Sequence, residues 1–433
     1  MRRAAVVMPM RTPVGLPGGA LAAVPPYRLV STVVSAVLDR AGLDPLRVEQ
    51  LVTAVPDSAA VRRALPLCGL SPVLGDFAVG GDPGAGLRAL ITASMMVSTG
   101  AADVVLVIGA EYPCATAETG TAPPPRPTLG DQDREPTTDE HLAVWAAAEP
   151  SRAAPESAAA EELARLYGLT RTEVDDFAAT SHRRAARARR QGFFGAETAP
   201  VVVCADPDDV NSVVVQLVDR DEGLRDDVSH RAFAALPPLH PGGITTVANS
   251  STRTLAASAC LVVAEDRVLD LGLEPMAYLV GWAAAAAPDL GDLAERPVPA
   301  TTPAVAKALW RSGFELAELE LLEIEETSAV DVLALTRTLG FFDRDGERLN
   351  VHGGAIALGD PGGAASLRMV TTMLHELSRR DGGLGLVATP AGAAGSLAAV
   401  FESPDLEVVA EAPRGARFRG AGTKRSGRHR NRA

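Results

Sequence analysis

Residues 82–96 read DPGAGLRALITASMM and residues 360–374 read DPGGAASLRMVTTML, so one pattern occurs twice, at an offset of 278. Asp82 and Asp360 each precede a proline, and an aspartate side chain commonly accepts the unpaired N–H groups of a helix's first turn. Proline suits the first helical position, because its fixed φ and missing N–H cost little there. Each stretch therefore predicts an amphipathic helix with Asp as its N-cap and Pro at its first position.

A second pair of stretches repeats in the same order. VVSAVLDRAGLDPLRVEQLV (33–52) and AVAKALWRSGFELAELELLE (304–323) both show a helical pattern, a short acidic turn and a buried strand, at an offset of 271. A buried apolar strand also follows each Asp-Pro helix, at 102–111 and 383–392. Such repeats indicate a duplication, and helices alternating with apolar strands indicate sheets covered by helices on both faces. We therefore expect two similar α/β halves whose Asp-Pro helices meet in the centre.

The composition agrees with a layered α/β protein. Of 433 residues, 47% are apolar and only 4% are aromatic, so the core must be built from tightly packed Ala, Val and Leu. The four cysteines, at positions 68, 114, 204 and 260, show no metal-ligand spacing and indicate reduced thiols in a cytoplasmic protein. No apolar run reaches the roughly 18–20 residues of a membrane span, and the N-terminal run is too short for a signal peptide. We expect a cytoplasmic protein without a metal site or a membrane span.

Two segments depart from the repeat. Residues 119–160 are rich in proline and predict an irregular surface excursion, followed by helices at 160–197 in which Thr170 and Glu173 form a capping box. Residues 414–433 contain seven arginines and one lysine without any acid, whereas the whole chain has a net charge of −13. Such a tail is typical of disordered segments, and we expect it to be solvated without a role, or to contact nucleic acid, anionic lipid or, weakly, an acidic partner.

On these stretches the sequence resembles the thiolase family, over roughly residues 4–402. The resemblance lies in RTPVGLPGGAL (11–21), STGAADVVLVIGAE (98–111), DDFAATSHRRAARARRQGFF (175–194), VANSSTRTLAASACLVVAE (247–265) and LNVHGGAIALGDPGGAASLR (349–368). It implies the thiolase fold, an α/β fold of two duplicated halves in a five-layer αβαβα arrangement with a loop-domain insertion.

The resemblance also implies domain boundaries and an assembly. We expect an N-terminal half at 1–267 with the loop-domain insertion at about 119–245, a C-terminal half at 268–404, and a basic disordered tail at 405–433. The family forms tight dimers with the loop domain over the coenzyme A site. The expected partner is therefore a second copy, another thiolase-fold chain or a small acyl-CoA-binding subunit. Coenzyme A or an acyl-CoA is the expected ligand, and no resident cofactor is expected.

Thiolase chemistry is a Claisen condensation or its reverse on acyl-CoA, and it needs groups that this sequence lacks. The family uses a nucleophilic cysteine at a helix N-terminus, a histidine that activates it, an asparagine donor and a second cysteine. At the corresponding positions this chain has Pro83, Asp360, Glu325 and, for the second cysteine, Pro390 or Ala391. The four losses together predict a chain released from thiolase chemistry.

Three carboxylates at or beside these positions offer an alternative chemistry. If the family geometry holds, Asp360, Glu325 and Glu326 line one pocket, where clustered carboxylates can act as acid/base pairs. Asp360 would then be the base of a lyase, a retro-aldolase or a decarboxylase that acts on a CoA thioester. The other interpretation makes Asp360 only a helix cap. The sequence leaves both interpretations open.

The other polar residues carry weaker hypotheses. Asn249 and Ser251 occupy the family's Asn-Ala-Ser turn beside the pantetheine arm, so they are the expected CoA-binding residues, with a plain turn role as the alternative. His352, His182 and Cys114 are expected to be structural. Three functions follow: a non-catalytic thiolase homologue that acts as a binding or structural subunit, the lyase, and an acyl-CoA acetyltransferase, which the missing cysteines nearly exclude.

Overall fold

The structure is a computed structural model, and it describes residues 2–80, 84–112, 153–209, 211–225, 230–286, 299–341, 346–390 and 395–404. Several positions that the sequence singles out lie outside the described residues: Asp82, Pro83, Cys114, Ala391, most of the excursion at 119–160, and the tail at 405–433. What the sequence predicts for them stays a prediction.

Strands and helices alternate along most of the described chain. The first stretch contains β1 (Ala4–Arg11), α1 (Pro26–Ala41), β2 (Gln50–Ala54), α2 (Ser58–Ala64), β3 (Asp76–Ala78), α3 (Ala85–Thr99) and β4 (Val104–Glu111). The insertion contains α4 (Ala153–Tyr167), α5 (Arg171–Arg190), β5 (Val201–Cys204), β6 (Val214–Val218) and α6 (His230–Ala234). The remainder contains β7 (Ala256–Ala264), α7 (Glu265–Val268), β8 (Ala277–Ala285), α8 (Thr302–Ser312), β9 (Leu321–Ile324), α9 (Ala329–Leu339), α10 (Ala355–Leu358), α11 (Ala365–Arg379), β10 (Gly383–Pro390) and β11 (Ser396–Ser403).

The main sheet repeats one strand arrangement twice. Its nine strands lie in the order β3-β2-β4-β7-β1-β8-β11-β10-β9. In the first half β2 is parallel to β4, and β7 is antiparallel to both β4 and β1. In the second half β9 is parallel to β10, and β11 is antiparallel to both β10 and β8. Among the described residues, the two half-sheets are joined by the short pairing of Ala5 with Tyr278 and of Val6 with Ala277.

The side chains of the strands divide the molecule into five layers. In β4, Leu106 and Ile108 pack toward α1, whereas Val105 and Val107 pack toward α3. The second half-sheet alternates in the same way, with one face on α8 and the other on α11. Because α3 and α11 share one apolar cluster with strands of both halves, they form the central layer. The order is helices, half-sheet, central helices, half-sheet, helices, which is the predicted thiolase fold.

The two central helices touch where they begin. The backbone N–H of Leu87 donates to Ser366 Oγ at 2.8 Å. A Cβ added to Gly86 would lie 2.6 Å from the carbonyl oxygen of Gly363, and a Cβ on Gly363 would overlap the carbonyl oxygen of Ala54. The repeat predicts this central meeting, and glycine permits it because any side chain would hold the backbones apart.

The starting points of the central helices differ from the sequence prediction. Helix α3 begins at Ala85 after Gly84, whose φ of 81° is in the left-handed region. Helix α11 begins at Ala365, after a 3-10 turn at Gly362–Ala364, so Asp360 is not its N-cap. Asp360 Oδ1 instead accepts the backbone N–H of Gly362 at 2.9 Å and holds the turn that precedes the helix.

The insertion is anchored to the first half by a buried arginine. Arg11 at the end of β1 donates to Glu197 at 2.6 Å and to Asp221 at 2.7 Å and 3.0 Å. Removing one partner of such a buried pair would leave an uncompensated charge, which is strongly destabilising. Within the insertion, the predicted capping box of Thr170 and Glu173 opens α5.

We predict that Gly363→Ala destabilises the protein by more than about 2 kcal/mol, because the methyl group would overlap the backbone of a neighbouring strand. Gly195→Ala is the matched control, since a Cβ there meets no atom within 4 Å. Urea unfolding followed by circular dichroism measures both. Equal stability of the two variants would contradict the close approach of Gly363 to the backbone of β2.

Candidate active site

Three chain segments named by the sequence analysis meet beside the start of α11. Ser251 N donates to Thr327 O at 3.0 Å, and Ala329 N donates to Asn249 O at 2.9 Å. Asp360 N donates to the carbonyl oxygen of residue 252 at 2.8 Å, and the N–H of residue 254 returns a bond to Asp360 O at 3.0 Å. Residues 249–254 therefore connect the loop after β9 with the turn before α11.

Asp360 is part of that turn. Its side chain is 9% exposed, and its Oδ1 accepts the N–H of Gly362. A bond from a side chain to the second following N–H is the usual role of Asp in a turn. This geometry agrees with a structural role, and it also leaves the carboxylate at the edge of the site, where the lyase hypothesis needs a base.

Glu326, which the sequence places in one pocket with Asp360 and Glu325, is held by several hydrogen bonds. It is fully buried, and its carboxylate accepts from Ser181 Oγ at 2.7 Å, Asn350 Nδ2 at 2.8 Å and Ile356 N at 3.1 Å. Burial raises the pKa of Glu326, whereas the bonds from Asn350 and Ser181 lower it. Three donors hold this carboxylate between α5 and the loop before α10, and a shared pocket with Asp360 and Glu325 stays a prediction.

Glu325 has a different environment from its neighbour. Its backbone N–H donates to Ala388 O at 2.9 Å, and its carboxylate contacts the hydroxyl of Thr389. The same hydroxyl lies 2.8 Å from Pro390 O at the end of β10. Through the Thr389 hydroxyl the structure brings Glu325 close to Pro390, a proximity that the sequence analysis did not predict.

Asn249 and Ser251 differ in what they can offer a ligand. Asn249 is fully buried, and its amide donates to Asp175 Oδ1 at 2.8 Å and to Ile244 O at 3.0 Å. Its Oδ1 accepts from Thr246 N at 2.7 Å, so the side chain holds the turn. Ser251 is half-buried, and its hydroxyl lies 3.3 Å from Thr327 O. Of the two residues, only Ser251 can reach a ligand at the surface, and its CoA-binding role stays a prediction.

The histidines singled out in the sequence lie among packed side chains. His352 is 3% exposed, its Nε2 lies 2.9 Å from Glu376 Oε2, and its ring packs at 4.7 Å on Phe193. His182 is fully buried and packs at 6.0 Å from Phe233. Glu376 lies near the C-terminal end of α11, so His352 lies at the end of this helix away from the candidate site.

Two of the three described cysteines are poor nucleophiles. Cys260 is fully buried in β7, and burial raises its pKa to about 12. Burial also raises the pKa of Cys68, whose Sγ lies 3.5 Å from Ser31 O beneath α1. Cys204 lies on β5 and is partly exposed. Since the thiolate is the reactive form, neither Cys68 nor Cys260 can attack a thioester at neutral pH.

Two acidic residues near the site were missed by the sequence analysis. Glu111 ends β4, and its carboxylate lies beside Gly362 and 3.4 Å from Arg253 Nη2. Burial raises the pKa of Glu323 in β9 to about 8, with Arg368 acting in the opposite direction. The sequence did contain a signal for both residues, namely an acidic residue within an otherwise apolar strand. Such a carboxylate is either buried or lies at the exposed end of the strand.

In the part of the chain that the structure describes, no helix is both long and apolar enough to cross a membrane. The same residues contain no group of three or more His, Cys, Asp or Glu side chains placed to hold a metal ion.

Comparisons with known proteins converge on one family. The family model for the thiolase N-terminal domain matches residues 4–266, and that for the thiolase C-terminal domain matches residues 273–403. The acetyl-CoA acetyltransferase of Paracoccus denitrificans is 31% identical over 410 residues, which covers 93% of this chain and 100% of the relative. A probable acetyl-CoA acyltransferase of Staphylococcus aureus is 31% identical over 394 residues, which covers 87% of this chain and 93% of the relative.

Solved structures give the same result. The crystal structure of human mitochondrial 3-ketoacyl-CoA thiolase superimposes with a TM-score of 0.75 at 26% identity, covering 93% of this chain and 99% of that one. The crystal structure of the Bacillus anthracis acetyl-CoA acetyltransferase superimposes with a TM-score of 0.75 at 25% identity, with the same coverage.

We predict that iodoacetamide at pH 7.5 modifies Cys204 well before Cys68 or Cys260, because burial hides both latter thiols and raises their pKa. Peptide mass analysis over time measures the order of labelling, and denatured protein serves as the control in which these sites react alike. Labelling of Cys260 as fast as Cys204 would contradict its burial.

Proposed function

Because this chain belongs to the thiolase family, we propose that it is a non-catalytic thiolase homologue that acts as a binding or structural subunit. A protein of this kind keeps the fold of the family but does not catalyse Claisen condensation or thiolysis.

The hydrogen bond that Asp360 makes is the main support for this proposal. At the position where the family has its activating histidine, this chain has a carboxylate that accepts a backbone N–H of its own turn at 2.9 Å. Pro83 replaces the nucleophile, and proline also removes a backbone donor. Glu325 replaces the asparagine, and an ionised carboxylate only accepts hydrogen bonds. These replacements support a site that has lost the nucleophile, its base and its donors.

Ligand binding at such a site is expected to be weak. A thioester oxygen needs hydrogen-bond donors, whereas Asp360 and Glu325 offer acceptors when ionised. An acyl-CoA is therefore the ligand class that the fold suggests, with weak affinity at neutral pH and tighter binding in acid. Ser251 is the residue we propose to contact the pantetheine arm.

An open sheet edge supports a partner subunit. β3 is the terminal strand of the nine-stranded sheet, and it pairs only with β2 in the described structure. Phe77 in this strand is 55% exposed, and the nearby Val73 is 88% exposed. An apolar strand edge invites pairing with another chain. We propose a homodimer, or a heterodimer with another thiolase-fold chain or a small acyl-CoA-binding subunit, in the cytoplasm.

The lyase is the second candidate function. Asp360 and Glu325 lie on the segments that meet at the site, and a retro-aldol cleavage or decarboxylation of a CoA thioester needs a base without a covalent nucleophile. Product formation from a CoA thioester would decide for this candidate over the first.

We predict that the purified protein produces no acetyl-CoA from acetoacetyl-CoA and CoA above the rate without protein, because Pro83 stands where the family has its nucleophilic cysteine. Chromatography of the CoA species over time measures it. Four single Cys→Ser variants, at positions 68, 114, 204 and 260, are the controls. Turnover that one of them abolishes would refute the loss of Claisen chemistry.

We predict that Asp360→Asn strengthens acyl-CoA binding by about 3- to 10-fold at pH 7, because an amide donor replaces a charged acceptor. The amide oxygen can still accept the N–H of Gly362, so the turn is preserved. Asp44→Asn is the matched control, since Asp44 Oδ1 accepts the N–H of Leu46 at 3.0 Å in the same way elsewhere. Calorimetric titration with acetyl-CoA measures the affinities.

The same two variants separate the two candidate functions. If the protein is a lyase, the wild-type chain should bind its acyl-CoA tightly at neutral pH. Asp360→Asn should then abolish product formation, whereas Asp44→Asn should not. That result would overturn the non-catalytic proposal.

A further inference from the structure

A group of exposed arginines lies at the C-terminal end of α11. We define the arginine patch as Arg40, Arg187, Arg379 and Arg380, which are all exposed. They come from α1, α5 and α11, so only the tertiary structure brings them together. The patch contrasts with the rest of the chain, since residues 1–413 contain 33 cations and 54 acids.

Direct contacts connect the members of the patch. Arg379 packs over the ring of Phe193 at 4.5 Å and donates to Phe193 O at 2.6 Å. Phe193 also packs on His352, and Arg187 donates to Val351 O beside that histidine at 3.2 Å. Arg380 shares Glu376 with Arg379 and with His352.

Arg40 lies on the same surface. It donates to Ala196 O, three residues beyond Phe193. Its Nη1 also lies 3.6 Å from Met10 Sδ, and His375 Nε2 in α11 lies 3.0 Å from the carbonyl oxygen of the preceding residue, Pro9. Arg40 therefore lies near the C-terminal part of α11. Glu197 is the neighbouring acid, and it is buried against Arg11.

Backbone carbonyls, more than carboxylates, hold these side chains in position. All four arginines donate to a carbonyl oxygen, that of Arg380 being Glu347 O at 2.9 Å. A carbonyl fixes a guanidinium group without cancelling its charge, so the patch keeps a positive potential and loses little entropy on binding. Glu376 is the carboxylate that the patch bonds; despite its burial, hydrogen bonds from His352 and Arg380 lower its pKa to about 2. Asp39, Glu347 and Asp381 are exposed acids beside the patch, and its four arginines lie among them.

The described chain ends beside this patch. Helix α11 ends at Arg379, and β10 begins at Gly383, which pairs with Ser403 at the end of β11. The last described residue, Pro404, follows directly, so it lies at the same end of the fold as Arg379 and Arg380. The eight cations at 414–433 belong to the chain that continues from this residue.

We propose that the arginine patch is a docking surface for an acidic protein partner, with the tail adding charge to the same interaction. This inference rests on the proposed role as a binding or structural subunit and names the chemistry of one partner surface. Fixed arginines from three helices present an area broader than a single phosphate group. An extended nucleic acid would also meet the acidic remainder of the chain, whereas a compact acidic surface can contact the patch alone.

The test measures binding of a fluorescein-labelled 20-residue poly-glutamate peptide to the full chain by fluorescence anisotropy. The patch variant carries Arg187→Gln and Arg380→Gln. Arg47→Gln with Arg62→Gln is the control, because it removes two exposed arginines from another surface. A chain that ends at Pro404 removes the tail. Thermal unfolding checks that each variant is folded.

We expect the full chain to bind the peptide, with affinity that falls severalfold between about 20 and 200 mM salt as the charges are screened. The patch variant should bind about tenfold more weakly, the tail-less chain should bind more weakly than the full chain, and the control should stay within about twofold. Equal affinities of the patch and control variants would overturn the proposal. So would tighter binding of a 20-nucleotide single-stranded DNA or of phosphatidylserine vesicles than of the peptide.

This readout does not involve thiolase activity. If acetyl-CoA were formed from acetoacetyl-CoA while the patch variant still lost peptide binding, the proposed function would fail and the docking surface would stand. The reverse outcome would remove only the docking surface.

Discussion

The rest of the structure depends on the backbone contact between the two central helices. Gly86 and Gly363 bring α3 and α11 so close that a single Cβ at either position would meet a carbonyl oxygen. Both half-sheets pack on this helix pair, so the distance between the helices sets the distance between the two halves. A core of Ala, Val and Leu with few aromatics is consistent with this spacing, because small side chains fill narrow layers without voids.

The same contact positions the candidate site. The turn before α11 carries Asp360 and is bonded to residues 249–254, which are bonded in turn to the loop after β9. Polar side chains that a ligand site could use are here engaged in holding these segments: Asn249 binds Asp175 and Ile244, and Glu326 binds Ser181, Asn350 and Ile356. A buried polar group must find such partners, since an unpaired one costs free energy. These polar side chains therefore hold the segments of the thiolase fold together.

Charge is distributed unevenly over the molecule. The chain is acidic overall, yet one end presents arginines fixed by backbone carbonyls and continues into a basic tail. The opposite property marks the β3 edge, where Phe77 and Val73 are apolar and exposed. One end of the molecule is therefore basic and the β3 edge is apolar, and the partners proposed for these two surfaces differ in the same way.

The sequence by itself determined the family, the duplication and the fold class, because these depend on local patterns. The repeated Asp-Pro helices, the glycines that end α1 and α8, and the capping box of α5 each involve residues close in the chain. The identity of the residues at 325, 360 and 390 likewise followed from alignment with the thiolase motifs.

Only the tertiary structure decided where those side chains point and what they bind. Glu325 and Glu326 are neighbours in sequence, yet one contacts Thr389 and the other is buried against Ser181 and Asn350. The arginine patch could not be read from the sequence either, since its members come from three helices that meet only when the layers pack. Local order follows from propensity and capping over a few residues, whereas burial and pairing depend on which distant segments the packed core brings together.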